Sequence, residues 1–181
     1  MKNILLIITF NLFVFNSFSQ NNELKIPKIP VDANTKLINY SKVVNEKGIK
    51  DSLYQRGLKW FNSYYKNPTD VIREKDTVNH KITGKARMPI FDDAEGTKLS
   101  KGNIEYTIIL EFKDDRFRYS ITNLNLKQAS YFALEKWLKE KDNPFAPKCY
   151  FYLEQVNTYM NNLTDNLKKA MKPVIKKEDN W

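Results

Sequence analysis

Side chains able to do chemistry are few in this chain, and they are scattered. A single histidine, His80, and a single cysteine, Cys149, occur among 181 residues. One imidazole leaves no two-histidine metal site, and a Ser-His-Asp triad would have to rest on His80 alone. A thiolate–imidazole pair is limited to Cys149 with His80. His80 follows Thr77-Val78-Asn79 at the start of a strand-like run and reads as a hairpin-end surface histidine. Cys149, beside Tyr150 and Phe151, reads as a small packed hydrophobe, with a thiol-linked dimer still open. The carboxylate pairs Asp92-Asp93 and Asp114-Asp115 fall where turns are expected, a setting that favours aspartate. Five glycines without phosphate-loop spacing form no nucleotide cradle. Catalytic, cofactor and metal residues are all read as none, so a non-enzyme is expected.

Cations supply the other chemistry. The formal net charge is +9, a balance suited to an anionic glycan, a lipid headgroup surface or nucleic acid, or to solubility alone. Strand spacing places Lys81, Lys85, Arg87, Arg116 and Arg118 on one side with Thr83, Thr107, Ser120 and Thr122. These residues form the candidate partner-binding face, with Glu105 and Glu111 on the same side reducing its field. A further excess at Lys168, Lys169, Lys172, Lys176 and Lys177 reads as a basic C-terminal end that complements a helix dipole. Two short tripeptides carry modification chemistry. Asn162-Leu163-Thr164 has N-glycosylation spacing, but Leu163 falls on a helical core stripe, so chance occurrence is expected. Asp76-Thr77-Val78, in an expected hairpin turn, resembles the Asp-Thr-apolar acceptors of envelope O-glycosylation in some bacteria.

The elements that must position these residues follow from periodicity. A strand is expected over Ile38 to Val44. A helix from about Ser52 to Lys66 follows, with Ser52 and Gln55 at capping-box spacing and Leu53, Gly57, Trp60, Phe61 and Tyr64 on one face. Gly57 inside it implies close approach of another element. Strands are then expected at Val71 to Asp76, His80 to Ile90, Asn103 to Phe112 and Arg116 to Leu124. In the third of these Ile104, Tyr106, Ile108, Leu110 and Phe112 share a face; in the fourth Phe117, Tyr119 and Ile121 do. Such alternation means an antiparallel sheet with one wet face. A short helix is expected at Ser130 to Lys141 and a longer one from Tyr150 to Lys172, with Tyr152, Val156, Tyr159, Leu163, Leu167 and Ala170 as its core stripe. The fold class is α+β, an antiparallel sheet with helices packed on one face.

At the N-terminus Lys2 precedes an apolar run from Ile4 to Phe15, too short to span a bilayer, which ends at Ser17-Phe18-Ser19. Residues 1–19 therefore read as a signal peptide, cleaved near Ser19-Gln20, and the protein as periplasmic or secreted. With Cys149 the sole cysteine, no lipoprotein anchor is expected, and the mature chain carries no second transmembrane candidate. Its organisation is an extended lead-in at 20–36 with Pro27 and Pro30, one domain at 37–172 and a tail at 173–181.

The residues Pro30-Val31-Asp32, Tyr40, Val43-Val44, Gly48, Leu53-Tyr54, Arg56, Trp60-Phe61, Val71-Ile72, Asp76 and Gly84-Lys85 occur in an order that resembles an uncharacterised bacterial family. It is known as a domain of unknown function with a TBP-like fold, like one half of the TATA-box-binding protein, and is found in exported proteins. The resemblance covers about residues 30–122, and Leu-Tyr-x-Arg-x-x-x-Trp-Phe is its most specific part. It implies the order β-α-β-β-β-β-α and brings no functional residues with it. The expected role is a non-catalytic binding or assembly module of the cell envelope, using the wet face or an edge strand against a protein or anionic glycan. Nucleic-acid binding by fold analogy is the alternative, and the compartment argues against it. An enzyme with an unrecognised site comes third.

Overall fold

The computed structural model describes residues 27–94, 96–139 and 144–173. The proposed leader, the start of the lead-in and most of the basic tail, including Lys176 and Lys177, lie outside the described residues.

Six antiparallel strands form one sheet. They are β1 (Tyr40–Asn45), β2 (Ile72–Asp76), β3 (Lys81–Ala94), β4 (Thr97–Lys113), β5 (Arg116–Leu126) and β6 (Phe132–Ala133). The order across the sheet is β1-β5-β4-β3-β2, and β6 adds to β5 beyond the end of β1. Helices α1 (Lys50–Tyr64) and α4 (Ala146–Ala170) pack on one face, with single turns at α2 (Pro68–Val71) and α3 (Glu135–Leu138). This is the α+β layering expected from the alternating strands.

Period-two alternation selects the face that the helices cover. Ile82, Ala86, Met88 and Ile90 of β3, Ile104, Tyr106, Ile108, Leu110 and Phe112 of β4, and Phe117, Tyr119 and Ile121 of β5 are all buried. Two glycines let the helix sit down on them. A Cβ on Gly57 of α1 would stand 2.4 Å from Phe112 Cζ, and one on Gly84 of β3 would stand 2.7 Å from Phe61 Cε1. Helix α1 thus seats the Phe112 ring of β4, and β3 seats the Phe61 ring of α1, each at a position without a side chain. The close approach expected at Gly57 is made by the Phe112 ring.

Helix α4 is tied down by polar contacts as well. Trp60 Nε1 donates to Asn166 Oδ1 at 2.8 Å, and Arg56 donates to the Met171 carbonyl at the end of α4 at 2.9 Å. That guanidinium satisfies a terminal helix carbonyl and opposes the negative end of the dipole. The Leu53-Tyr54-x-Arg56-x-x-x-Trp60-Phe61 pattern is therefore an assembly device, with Leu53, Tyr54, Trp60 and Phe61 buried.

Several expectations need correction. The helix expected at Ser130 to Lys141 is instead β6 followed by the single turn α3. Because β1 stops pairing at Ile121, the edge of β5 at Asn125 and Leu126 is open, and Phe132 and Ala133 occupy it. The capping box of Ser52 and Gln55 does not form. Helix α1 begins at Lys50, whose N–H donates to Asp114 Oδ1 at 2.8 Å, while Ser52 Oγ accepts from Arg56. Strands β3 and β4 run on as a long hairpin, so Asp92 and Asp93 lie within a strand rather than a turn. Helix α4 starts four residues early, with Cys149, Leu153 and Met160 added to its buried stripe and Ala170 exposed.

Candidate functional site

The face opposite the helices is built by the same alternation. Cross-strand register gives rows that run over the sheet: Arg87 with Glu105; Lys85 with Thr107 and Thr122; Thr83 with Ile109, Ser120 and Ser41; Lys81 with Glu111, Arg118 and Val43; and Lys113 with Arg116 and Asn45. All eight residues chosen from the sequence, Lys81, Lys85, Arg87, Thr107, Arg116, Arg118, Ser120 and Thr122, lie on this one face. Lys85, Arg87, Arg116 and Arg118 are exposed and the shorter hydroxyl side chains half-buried between them.

Charge on the face is largely paired. Glu105 takes Lys85 Nζ at 2.8 Å and Arg87 Nε at 3.2 Å, and Glu111 takes Arg118 Nη2 at 2.6 Å. Lys81 reaches Glu74 of β2 at 3.8 Å, and Thr83 donates to the same carboxylate at 3.1 Å. The Lys85 hydrogen bond, with that of Arg87, holds the Glu105 carboxyl below its ordinary range. Lys113 and Arg116 at the β4–β5 end make no such ion pair among the described residues.

Two concavities flank the rows. One, of about 470 Å³, lies where β2 leaves the edge of β3, and Tyr65, Lys66, Asn67, Arg73, Lys85 and Arg87 are among its walls. The other, of about 280 Å³, lies at the opposite corner over Val43, Glu111, Lys113, Arg116, Phe117 and Arg118. Val43 is 54 % exposed, so this corner offers an aliphatic floor inside a cationic rim. The face expected from the sequence does not include Val43.

The remaining chemistry-bearing residues have structural partners. His80 sits at the β2–β3 turn with positive φ, its ring edge-on to Tyr54 and its Nε2 at 2.5 Å from Asp51 Oδ1. Its side chain is only 12 % exposed, so it is not the surface histidine expected. Cys149 is buried near the start of α4, about 33 Å along that helix from the Met171 end that Arg56 holds beside α1. The two do not form a catalytic pair. Asp92 accepts from Tyr152 at 2.6 Å and pairs with Lys148 and Lys101 at 3.0 and 3.1 Å, which lowers its pKa to about 2. Thus Asp92 fastens the long hairpin to α4. Asp115 accepts from Gly48 N–H at 3.1 Å beside the Asp114 cap. Tyr65, Tyr106 and Tyr159 form a hydroxyl chain at 3.2 and 3.4 Å inside the core, and burial pushes all three phenols up. Thr164 of the Asn162 tripeptide is buried with Leu163, its hydroxyl donating to the Asn161 carbonyl. Lys168 pairs with Asp165 at 2.9 Å and lies over the Tyr119 ring.

Among the described residues no group of three or more His, Cys, Asp or Glu is placed to hold a metal ion. No described helix is long and apolar enough to cross a membrane.

Comparison with known proteins gives the fold a context. Residues 40–127 match the model of the domain of unknown function DUF4468 with TBP-like fold. The crystal structure of a DUF4468 family protein from Bacteroides ovatus superposes with a TM-score of 0.65 at 13% identity, covering 82% of this chain and 93% of that one. A TBP-like protein from Parabacteroides distasonis gives 0.56 at 12% identity, covering 77% of this chain and 97% of that one. At such identities the likeness is one of fold. No curated protein matches.

Proposed function

We propose, from the match of residues 40–127 to DUF4468, a domain of unknown function with TBP-like fold, that this chain is an exported, non-catalytic binding or assembly module of the bacterial cell envelope. Its working surface is the polar face of the sheet, and its partner is an acidic protein segment or an anionic glycan. One observation carries the reading: the long helices α1 and α4 pack on one side of the sheet, and the other side presents ordered rows of Lys, Arg, Ser and Thr, with Glu105 and Glu111 among them. An antiparallel sheet needs only one packed face to be stable, so the second is available for recognition. Cations lying over both corner concavities supply steering and selectivity more than raw affinity.

The face suits a partner of mixed polarity better than a bare polyphosphate. Glu74, Glu105 and Glu111 are interleaved with the cations, and each would face a phosphate backbone unfavourably. Minor-groove readers that bend DNA insert apolar wedges, whereas the exposed positions here, Val43 at one corner apart, are polar or charged.

A photo-crosslinking side chain at Thr122, in the middle of the face, tests the reading in cells producing the full chain. We expect an adduct from Thr122 that is absent when the same group is placed at Lys59 on the outer side of α1, and that is lost with Arg116→Glu plus Arg118→Glu. Equal adducts from both positions, or none, would dismiss the face as the site. Salt-dependent duplex DNA binding at high-nanomolar affinity or better, abolished by the same pair, would move the assignment to nucleic acid.

A further inference from the structure

We propose that Thr77 is an O-glycan acceptor, the modified residue of the Asp76-Thr77-Val78 tripeptide. The inference rests on the export part of the reading above and is independent of what the sheet face binds.

The local geometry is that of a presented side chain. Residues 77–80 form the turn between β2 and β3, and Asp76 fixes it from below. Asp76 Oδ1 accepts from the N–H of Val78 at 3.0 Å and of Asn79 at 2.9 Å, and Oδ2 accepts from Asn79 Nδ2 at 2.7 Å. These bonds, the Asn79 N–H foremost, hold the Asp76 carboxyl below its ordinary range and the backbone of the turn in one conformation. Thr77 stands at the tip, exposed, and its hydroxyl makes no hydrogen bond among the described residues.

Val78 is the second observation. At 82 % exposure it is the most exposed large apolar side chain among the described residues. Turn chemistry gives no reason for it, since Gly, Asn, Asp and Pro are the residues that stabilise turns. Nothing among the described residues covers it, so its side chain is open to an external reader.

The same chain contains an internal control. Asp51-Ser52-Leu53 has the same composition, acidic then hydroxyl then apolar, but it lies in the first turn of α1. Leu53 is fully buried, and Ser52 Oγ accepts from Arg56. Folding hides one tripeptide and displays the other, so a transferase acting on the folded, exported chain meets only Thr77.

The transfer needs a glycan activated as a lipid-linked diphosphate and a transferase of the host envelope. Thr77 Oγ attacks the anomeric carbon, the new glycosidic C–O bond forms as the anomeric C–O bond to phosphate breaks, and the lipid diphosphate leaves. The hydroxyl proton passes to a base of the transferase, and no atom changes oxidation state.

Intact-mass and peptide mass spectrometry of the full chain produced in Bacteroides ovatus decide the matter. The native leader is used in one construction, and in a second residues 1–19 are replaced by the leader of a resident periplasmic protein. The expected result is one glycan increment on the exported chain, located at Thr77. It should vanish with Thr77→Ala, fall at least tenfold with Asp76→Asn or Val78→Lys, and survive Ser52→Ala. An unmodified mass on the chain exported by the borrowed leader overturns the proposal, as does a glycan that persists in Thr77→Ala. A glycan present only with the borrowed leader supports the acceptor site and removes the native export reading, so the two failures are told apart.

Discussion

The two faces of strand β4 are made of alternate residues of one segment, yet they obey different rules. On one side Tyr106, Ile108, Leu110 and Phe112 are held by neighbours that leave each ring a single position: Phe112 at Gly57, and Phe61 of α1 at Gly84. On the other, Glu105, Thr107, Ile109 and Glu111 are held by strand pairing and by ion pairs with half-exposed partners. Close-packed interiors respond to a single methylene, whereas exposed ion pairs contribute about 0–1 kcal/mol each. Residues on the wet face can therefore change with a partner at little cost to folding. The Leu-Tyr-x-Arg-x-x-x-Trp-Phe pattern, by contrast, serves the packed face throughout.

Breaking the packed face should have the largest effect. Phe61→Ala empties the space against Gly84 and is expected to cost about 3–5 kcal/mol, read as a shift in the urea unfolding midpoint at unchanged slope. Overfilling the same place is next. Gly84→Val sets a side chain against Phe61 Cε1 and Ile108 Cγ2 and should cost about 1–3 kcal/mol. Its neighbour Thr83→Val, one residue along and on the other face, gives up only the exposed hydrogen bond to Glu74 and should cost about 0.5–1 kcal/mol at most. Equal effects at residues 83 and 84 would contradict the division between the faces.

Acid sharpens the comparison at the hairpin. The Asp92 carboxyl is held low by the Tyr152 hydroxyl and then by Lys148 and Lys101. A depressed native pKa contributes stability that is fully present above the ordinary aspartate value of 3.8 and is lost as the pH falls to about 2. Unfolding midpoints of wild type should therefore drop over that window, and those of Asp92→Asn should be lower at neutral pH and flatter through it. Glu105, lowered in the same sense by Lys85 and Arg87, contributes with the same sign from the wet face.

How much of this was legible follows from what each residue answers to. The central strands declared both their faces, because burial on one side imposes a period of two that β4 keeps without a break from Ile104 to Phe112. The eight cationic and hydroxyl positions followed from that register alone. The cap of α1 was hidden because its acceptor, Asp114, lies 64 residues from Lys50 in the chain. Strand β6 was hidden for a related reason: an apolar pattern over residues 131–138 fits a short helix equally well, and only the vacant edge of β5 decides. Beyond Ile90 the alternation of β3 loses its apolar signal at Asp92 and Asp93, so the hairpin was read as ending there. Its hold on α4 comes from Asp92 and from Gln155, whose side-chain amide bonds both the N–H and the carbonyl of Phe91 at 3.0 and 2.8 Å, contacts that no local pattern encodes.

The smallest expected effect on folding is the one that bears on function. Arg116 is exposed at the end of β5, opposite Lys113 and Asn45, and lines the corner over Val43. Arg116→Glu removes no buried contact and places a carboxylate across from Lys113, so its unfolding free energy should lie within about 0.5 kcal/mol of wild type. If the face binds an acidic partner, the same change should cut the Thr122 adduct severalfold, because it reverses a charge at the rim where encounter is steered. A loss of adduct with no loss of stability separates recognition from folding on this sheet. A variant that unfolds as readily as Gly84→Val would mean that the wet face, too, holds the domain together.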